Sequence, residues 1–249
     1  MDKPFEISSV IKGSPVQLIH GHHYANADSN LPKRQITVHI TKNVPTEDKM
    51  PKTIIVVGVA RGGTTVVAAV LDSIGVYMGP STQLGAGGAF ENQVFMTDET
   101  NWPAEIDRCN LLYDIWGWKN PSMFNMMDHI PHTVRNPHCI FVFRDIIALA
   151  GGLIARRGIN QDSGDVVALA EESLQTLYKA ATEIDLPSLF VSYERIKTSP
   201  EVFVASLAQF CGLTVSPRQR AEAMERIMPQ GGYIHLPNGW QSATDQSTE

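Results

Sequence analysis

The sequence predicts an α/β fold in which a mostly parallel sheet is flanked by helices. Three observations predict it. Short apolar runs at 54–57, 139–143 and 189–191 are rich in β-branched and aromatic residues, the pattern of strands buried on both faces. Helical spacing follows each run, over 66–74, 146–157 and 200–210, and strand–helix alternation is the mark of a parallel sheet. The first run passes through a glycine-rich turn directly into its helix.

The elements follow in order. Residues 54–57 (IIVV) form the first core strand, and Gly75 stops the helix behind it. The glycine-rich stretch 79–90 reads as a long loop, and a helix is expected from Phe90 through Asp98. Ile115 to Trp118 is a short aromatic strand with Lys119 at its end. The run 139–143 is a second core strand, followed by Arg144, Asp145 and a helix over 146–157. Residues 165–184 form an amphipathic helix with Val166, Leu169, Leu174, Leu177 and Ala181 as core positions. Residues 189–194 read as a third strand with a polar end, and a helix over 200–210 stops at Gly212.

The chain of 249 residues fits one such domain, over 51–240, behind a long N-terminal extension. The extension, 1–50, carries short strands at 16–19 and 36–40 and is broken by prolines; 241–249 reads as a disordered tail. A net charge of −6 gives no general affinity for nucleic acid or anionic membrane. Cys109, Cys139 and Cys211 have neither a disulfide framework nor a metal-ligand spacing, so a reducing compartment is expected. The start, MDKPFEISSV, lacks a leader pattern, and no apolar run is long enough to cross a bilayer. A soluble cytoplasmic protein is the expectation. The cluster His20, His22 and His23 has no partner at a ligand spacing and reads as a polar loop.

The turn after the first strand is where chemistry is expected. Gly58-Val59-Ala60-Arg61-Gly62-Gly63-Thr64-Thr65 has the frame of a nucleotide-phosphate loop, G-x-x-x-x-G-K-[ST], with Thr64 where the lysine belongs. Glycines let backbone N–H groups converge on a phosphate, and the helix N-terminus adds unpaired donors and a positive dipole end. Gly62 and Gly63 supply the tight turn, Thr64 and Thr65 two hydroxyls, and Arg61 a cation. The missing lysine argues against ATP or GTP hydrolysis. A turn that merely packs a helix on a sheet is the plain alternative.

Other candidates lie at strand ends, where α/β sheets bind ligands. Lys119 ends the aromatic strand and Arg144 ends the second core strand; the alternatives are a surface lysine and a salt-bridged arginine. Glu91 follows the glycine-rich loop and is a candidate base, with His129 and His132 next in line. Tyr193 is either a core residue or part of the site.

These segments together resemble one family. ARGGTT resembles the [PH]-[RK]-S-G-T-[TS] loop of sulfotransferases, FEN their G-x-[FW]-E-N segment, and WGWKNP the WGWKDP motif of the bacterial carbohydrate-type group. FVFRD, with the helix behind it, resembles the segment that grips the donor's 3′-phosphate, and VSYERIKTSPEVFVASLAQFCGL resembles the later V-x-Y-E-D-L segment. The resemblance spans residues 53–213 and implies a P-loop NTPase-like three-layer fold. It implies transfer of a sulfonate from 3′-phosphoadenosine 5′-phosphosulfate to an acceptor hydroxyl or amine, with adenosine 3′,5′-bisphosphate as product. Arg61, Gly62, Gly63, Thr64 and Thr65 would hold the 5′-phosphosulfate, Arg144 the 3′-phosphate, and Tyr193 would lie by the adenine. Lys119 would contact the transferring sulfonate, and Glu91 would take the acceptor proton. The chain departs from the pattern at Ala60, Gly62, Asn120, Ser122 and Gly152; the last stands where the family has a phosphate-binding serine.

The expected reaction is thus sulfonate transfer to a small-molecule or glycan acceptor, without metal. Two alternatives stay open: a P-loop small-molecule kinase, and a non-catalytic nucleotide-binding protein on the same fold. Neither the acceptor nor the oligomeric state is legible in the chain.

Overall fold

The structure is a computed structural model that describes residues 39–45, 51–79, 89–96, 99–121, 123–127, 129–157 and 163–228. The expected strand at 16–19, the histidine cluster and the tail after 228 lie outside the described residues.

Among the described residues five strands form one sheet: β1 (His39–Lys42), β2 (Lys52–Gly58), β3 (Ile115–Lys119), β4 (Pro137–Phe143) and β5 (Ser188–Ser192), in the lateral order β1-β5-β4-β2-β3. β2 pairs in parallel with β3 and β4, and β4 with β5; only β1 is antiparallel, on β5. The sheet is therefore mostly parallel, as expected. The strand expected at 36–40 is described from His39 and runs on to Lys42.

Side-chain alternation along β2 divides the core. Ile54 and Val56 pack with α1 (Thr64–Ser73), α7 (Pro200–Cys211) and α8 (Pro217–Ile227) on one face. Ile55 and Val57 face the other way, with α2 (Trp102–Leu112), α4 (Ile146–Arg157) and α5 (Ser163–Glu183). All four side chains have no solvent exposure, which is why the strand reads as a continuous apolar run. Two short helices, α3 (Ile130–Thr133) and α6 (Tyr193–Thr198), are the other α-helices among the described residues.

Three local expectations change, and one region forms an element where none was expected. The helix expected from Phe90 to Asp98 is a single tight turn over Gln93–Met96. Phe90 takes a left-handed φ of 62°, and the Asn92 side chain accepts from the Val94 N–H at 3.0 Å. That side-chain bond offers the backbone an alternative to the helix. Second, the strand expected over 189–194 ends at Ser192. Its hydroxyl caps α6 by accepting from the Arg195 N–H, so Tyr193 and Glu194 form a helical first turn. Third, Leu169 on α5 is exposed; Val166, Ala170, Leu177 and Ala181 carry the buried stripe. At helical pitch Ala170 continues the line through 166 and 177, and Leu169 is turned off it. Beyond these, α2 occupies a region without a clear sequence pattern and exposes Leu111 and Leu112 at its end.

Among the described residues no helix is long and apolar enough to cross a membrane. Cys109, Cys139 and Cys211 are all buried free thiols. Burial pushes the thiols of Cys109 and Cys211 up to about 12.

Candidate functional site

The site lies at the carboxyl edge of the sheet, beyond the end of β2. β2 runs fully buried to Gly58, and the loop 59–63 leads into α1. The turn closes on itself: the Gly62 N–H donates to the Val59 carbonyl at 2.8 Å. Arg61 and Gly63 take positive φ of 69° and 94°, and Gly63 is the N-cap of α1. Thr64 and Thr65 stand in the first turn, which holds no acidic side chain. A ten-residue helix of this kind presents unpaired N–H groups and a positive dipole end to the loop.

Contacts explain the small residues. A Cβ on Gly62 would lie 2.7 Å from the Val59 carbonyl oxygen. A Cβ on Gly63 would lie 2.1 Å from the Tyr193 ring. Both are closer than real Cβ contacts, and at Gly63 the positive φ adds backbone strain.

Strand order decides what flanks the loop. β2 lies between β3 and β4, so Lys119 at the end of β3 and Arg144 just past β4 come from opposite sides of it. In register Gly58 pairs with Val142, so Arg144 stands level with the loop. Phe143 pairs with Ser192, which brings Tyr193 to the same level from β5. Arg144 Nη1 donates to the Arg61 carbonyl at 2.6 Å, and its guanidinium sits 4.7 Å from the centre of the Tyr193 ring. Arg144 Nε is buried and has no hydrogen-bond partner among the described residues. The Arg61 side chain lies along α4, where a Cβ on Gly152 would be 3.0 Å from the Arg61 Cβ.

Lys119 is level with Val56, two residues before Gly58 at the end of β2, or roughly 6–7 Å along the strand. Only 3% of its side chain is exposed, and its ammonium is paired with the Glu91 carboxylate. The structure thus brings Glu91 and Lys119 together, which their separation in sequence did not announce. Their backbones are also tied: the Lys119 N–H donates to the Phe90 carbonyl at 3.1 Å, and the Asn120 N–H to that of Val56 at 3.1 Å. Behind the lysine, Trp116 and Trp118 stack with Phe95, whose ring lies 4.3 Å from Trp118 and 6.0 Å from Trp116. His129 and His132 are exposed, at the start of and within the short helix that leads to the beginning of β4.

A groove opens beside this segment, lined by Gln93, Val94, Asn101, Ala104, Glu105 and Arg108. Sequence reasoning did not single out Glu105 or Arg108, because an acid–base pair three apart on a helix is ordinary. Their partners give them a different standing. Arg108 binds Glu105 at 2.7 and 2.8 Å, and the Asn92 amide donates to the same carboxylate at 2.7 Å. The Arg108 hydrogen bond leads in holding the Glu105 carboxyl below the usual range, against desolvation. Asn92 thereby anchors the residue next to Glu91 onto α2.

No protein-family model matches the chain, and no curated protein sequence does. Solved structures do match it. One is the sulfotransferase domain of the curacin biosynthetic pathway, at 14% identity, with a TM-score of 0.55 and coverage of 69% of this chain and 77% of that one. Another is the sulfotransferase domain of the Synechococcus PCC 7002 olefin synthase, at 17% identity, a TM-score of 0.51 and coverage of 71% and 78%. A third is the sulfotransferase STF9 from Mycobacterium avium, at 14% identity, a TM-score of 0.51 and coverage of 74% and 70%. The chain therefore has the sulfotransferase fold, a P-loop NTPase-like α/β architecture with a mostly parallel sheet between two layers of helices.

Proposed function

We propose that the chain transfers a sulfonate from 3′-phosphoadenosine 5′-phosphosulfate to a hydroxyl or amine of an acceptor, a carbohydrate being the expected class. The observation that carries this reading is the placement of Lys119 and Arg144 on the two strands that flank β2, on either side of a lysine-free phosphate-type loop. The residues present fit such a donor. Gly62 and Gly63 let the loop pack tightly against Val59 and the Tyr193 ring, and Arg144 keeps a buried Nε–H without a partner among the described residues. When bound, the donor supplies a sulfonate already joined to a phosphate oxygen that can leave.

The chain's own groups would do the rest. The N–H groups at the start of α1 and the hydroxyls of Thr64 and Thr65 hold the 5′-phosphate, with Arg61 as a neighbouring cation. Arg144 holds the 3′-phosphate, and Tyr193 borders the nucleotide. Lys119 balances charge that grows on the leaving oxygen, and Glu91 accepts the acceptor's proton. The groove along α2 receives the acceptor. Its amides and its neutralised Glu105–Arg108 pair suit a neutral, hydroxyl-rich molecule. These roles are electrostatic and positional, so no metal is called for. The buried free thiols suit a cytoplasmic setting.

Transfer from sulfur-35-labelled donor in the presence of a chelator tests the reading, beside titrations with adenosine 3′,5′-bisphosphate and ATP. Metal-independent transfer and tighter binding of the bisphosphate are expected. Tighter, magnesium-dependent binding of ATP would favour a kinase. Nucleotide binding without transfer to any acceptor would favour a non-catalytic role.

A further inference from the structure

Arg61 belongs to the loop after β2, but its side chain packs on α4. Its φ of 69° is left-handed, an uncommon backbone for a residue with a side chain. From there the stem crosses α4: a Cβ on Gly152 would lie 3.0 Å from the Arg61 Cβ, 3.3 Å from its Cγ and 3.4 Å from its Nε. The neighbouring Gly151 differs, since a Cβ there would meet nothing within 4 Å. A glycine inside a helix is unfavourable for the helix, and at 152 these contacts supply the reason for one. The missing Cβ makes the seat for the Arg61 stem.

Arg144 reaches the same residue from the end of β4. It stands between β4 and α4, and its Nη1 donates to the Arg61 carbonyl at 2.6 Å. One guanidinium is therefore bonded to the backbone of the residue that carries the other. Both arginines are half-buried, and both lie on the β4 side of the loop. Lys119 comes from β3, on the opposite side. Like charges gathered in one half-buried place repel, and an anion with several acceptor oxygens between them turns that repulsion into attraction.

From this arrangement we propose that Arg61 and Arg144 form one clamp for a single phosphate group, the nucleotide's 3′-phosphate. Arg144 approaches it from the strand end and Arg61 from the seat at 152. The inference rests on the sulfonate-donor reading above and moves Arg61 from the 5′-phosphate to the 3′-phosphate. The 5′ group is then left to the N–H groups at the start of α1 and to the hydroxyls of Thr64 and Thr65. Gly152 is part of the same device: the residue that would carry a hydroxyl there gives its space to a cation.

The test titrates adenosine 3′,5′-bisphosphate and AMP against the parent protein and Arg61→Gly. Glycine suits the positive φ, so the variant keeps the turn. A loosened loop would weaken both nucleotides alike, whereas loss of a 3′-phosphate contact lowers the preference for the bisphosphate. That preference is expected to fall about ten- to hundredfold. An unchanged preference would overturn the clamp and leave the sulfonate-donor reading standing. A parent protein without any preference for the bisphosphate would overturn both. Gly152→Ser gives an independent measurement. Added to Arg61→Gly, where the seat is vacated, the serine hydroxyl is expected to recover bisphosphate binding by about two- to tenfold. The same substitution in the parent protein weakens it. Weakening in both backgrounds would place position 152 away from the phosphate and overturn the proposal.

Discussion

Arg144 donates from Nη1 to the backbone carbonyl of Arg61 at 2.6 Å, joining the end of β4 to the middle of the phosphate-type loop. The contact fixes a loop residue that takes a positive φ of 69°, and the Arg144 Nε–H stays buried without a partner among the described residues.

Arg144→Ala is expected to weaken adenosine 3′,5′-bisphosphate by about 1.5–3 kcal/mol, the scale of a charged hydrogen bond. AMP, lacking the 3′-phosphate, should lose much less. Calorimetric titration of both nucleotides checks this. Equal losses would mean that Arg144 acts only by shaping the loop.

Gly152→Ser is expected to weaken nucleotide binding, although the resemblance places a phosphate-binding serine there. The space is already taken: any Cβ at 152 meets the Arg61 side chain at 3.0 Å. Pushing Arg61 aside moves a cation that belongs to the loop. Tighter binding by the serine variant would show that Arg61 is dispensable and that the helix was merely short of a donor.

Gly63→Ala should nearly abolish nucleotide binding and cost stability. Its methyl group would meet the Tyr193 ring at 2.1 Å on a backbone with φ of 94°. Strain of this kind costs about 1–3 kcal/mol before the clash is counted. Adding Tyr193→Ala should recover part of the stability but not the binding, and paired thermal melts and titrations separate the two.

Lys119→Ala is expected to slow transfer by about 2.7–4 kcal/mol in the barrier while the bisphosphate product still binds. Glu91→Gln should slow transfer by roughly 10²–10⁴ if it is the base. Single-turnover transfer from labelled donor measures both. An alanine variant that transfers at the parent rate would reduce Lys119 to a buried partner of Glu91.

A pH dependence of stability follows from the sheet's edge. His39 on β1 is buried with no hydrogen-bond partner at either ring nitrogen among the described residues, and burial lowers its pKa from 6.5. The folded state therefore favours the neutral ring. This contribution is fully present above pH 6.5 and is lost as pH falls from there towards the lowered folded value. Denaturant melts between pH 7 and 5 should lose stability in the parent, and His39→Leu should flatten that loss. An identical slope in both proteins would place the effect elsewhere.

Several features were legible in the chain because they depend on local chemistry. The runs 54–57 and 139–143 read as buried strands because both of their faces are covered. The stretch 58–65 read as a tight glycine turn between strand and helix, and Gly63 does take a positive φ of 94°. Other features were not legible. A strand was expected to continue through Tyr193, but a serine cap turned the chain into a helix there. A helix was expected after Phe90, but the Asn92 side chain bonded its own backbone instead. Both reversals come from single side-chain hydrogen bonds, which periodicity does not register.

By itself, then, the sequence determined the α/β class, the glycine turn between the first core strand and its helix, and the strand-end positions of Lys119 and Arg144, because these follow from residue type and spacing along one chain. Only the tertiary structure decided that β2 lies between β3 and β4, that Glu91 meets Lys119, and that Arg61 covers Gly152. Lateral strand order and side-chain meetings across many residues depend on how whole elements pack. The packing free energy is shared among many contacts, and no local stretch of sequence encodes it.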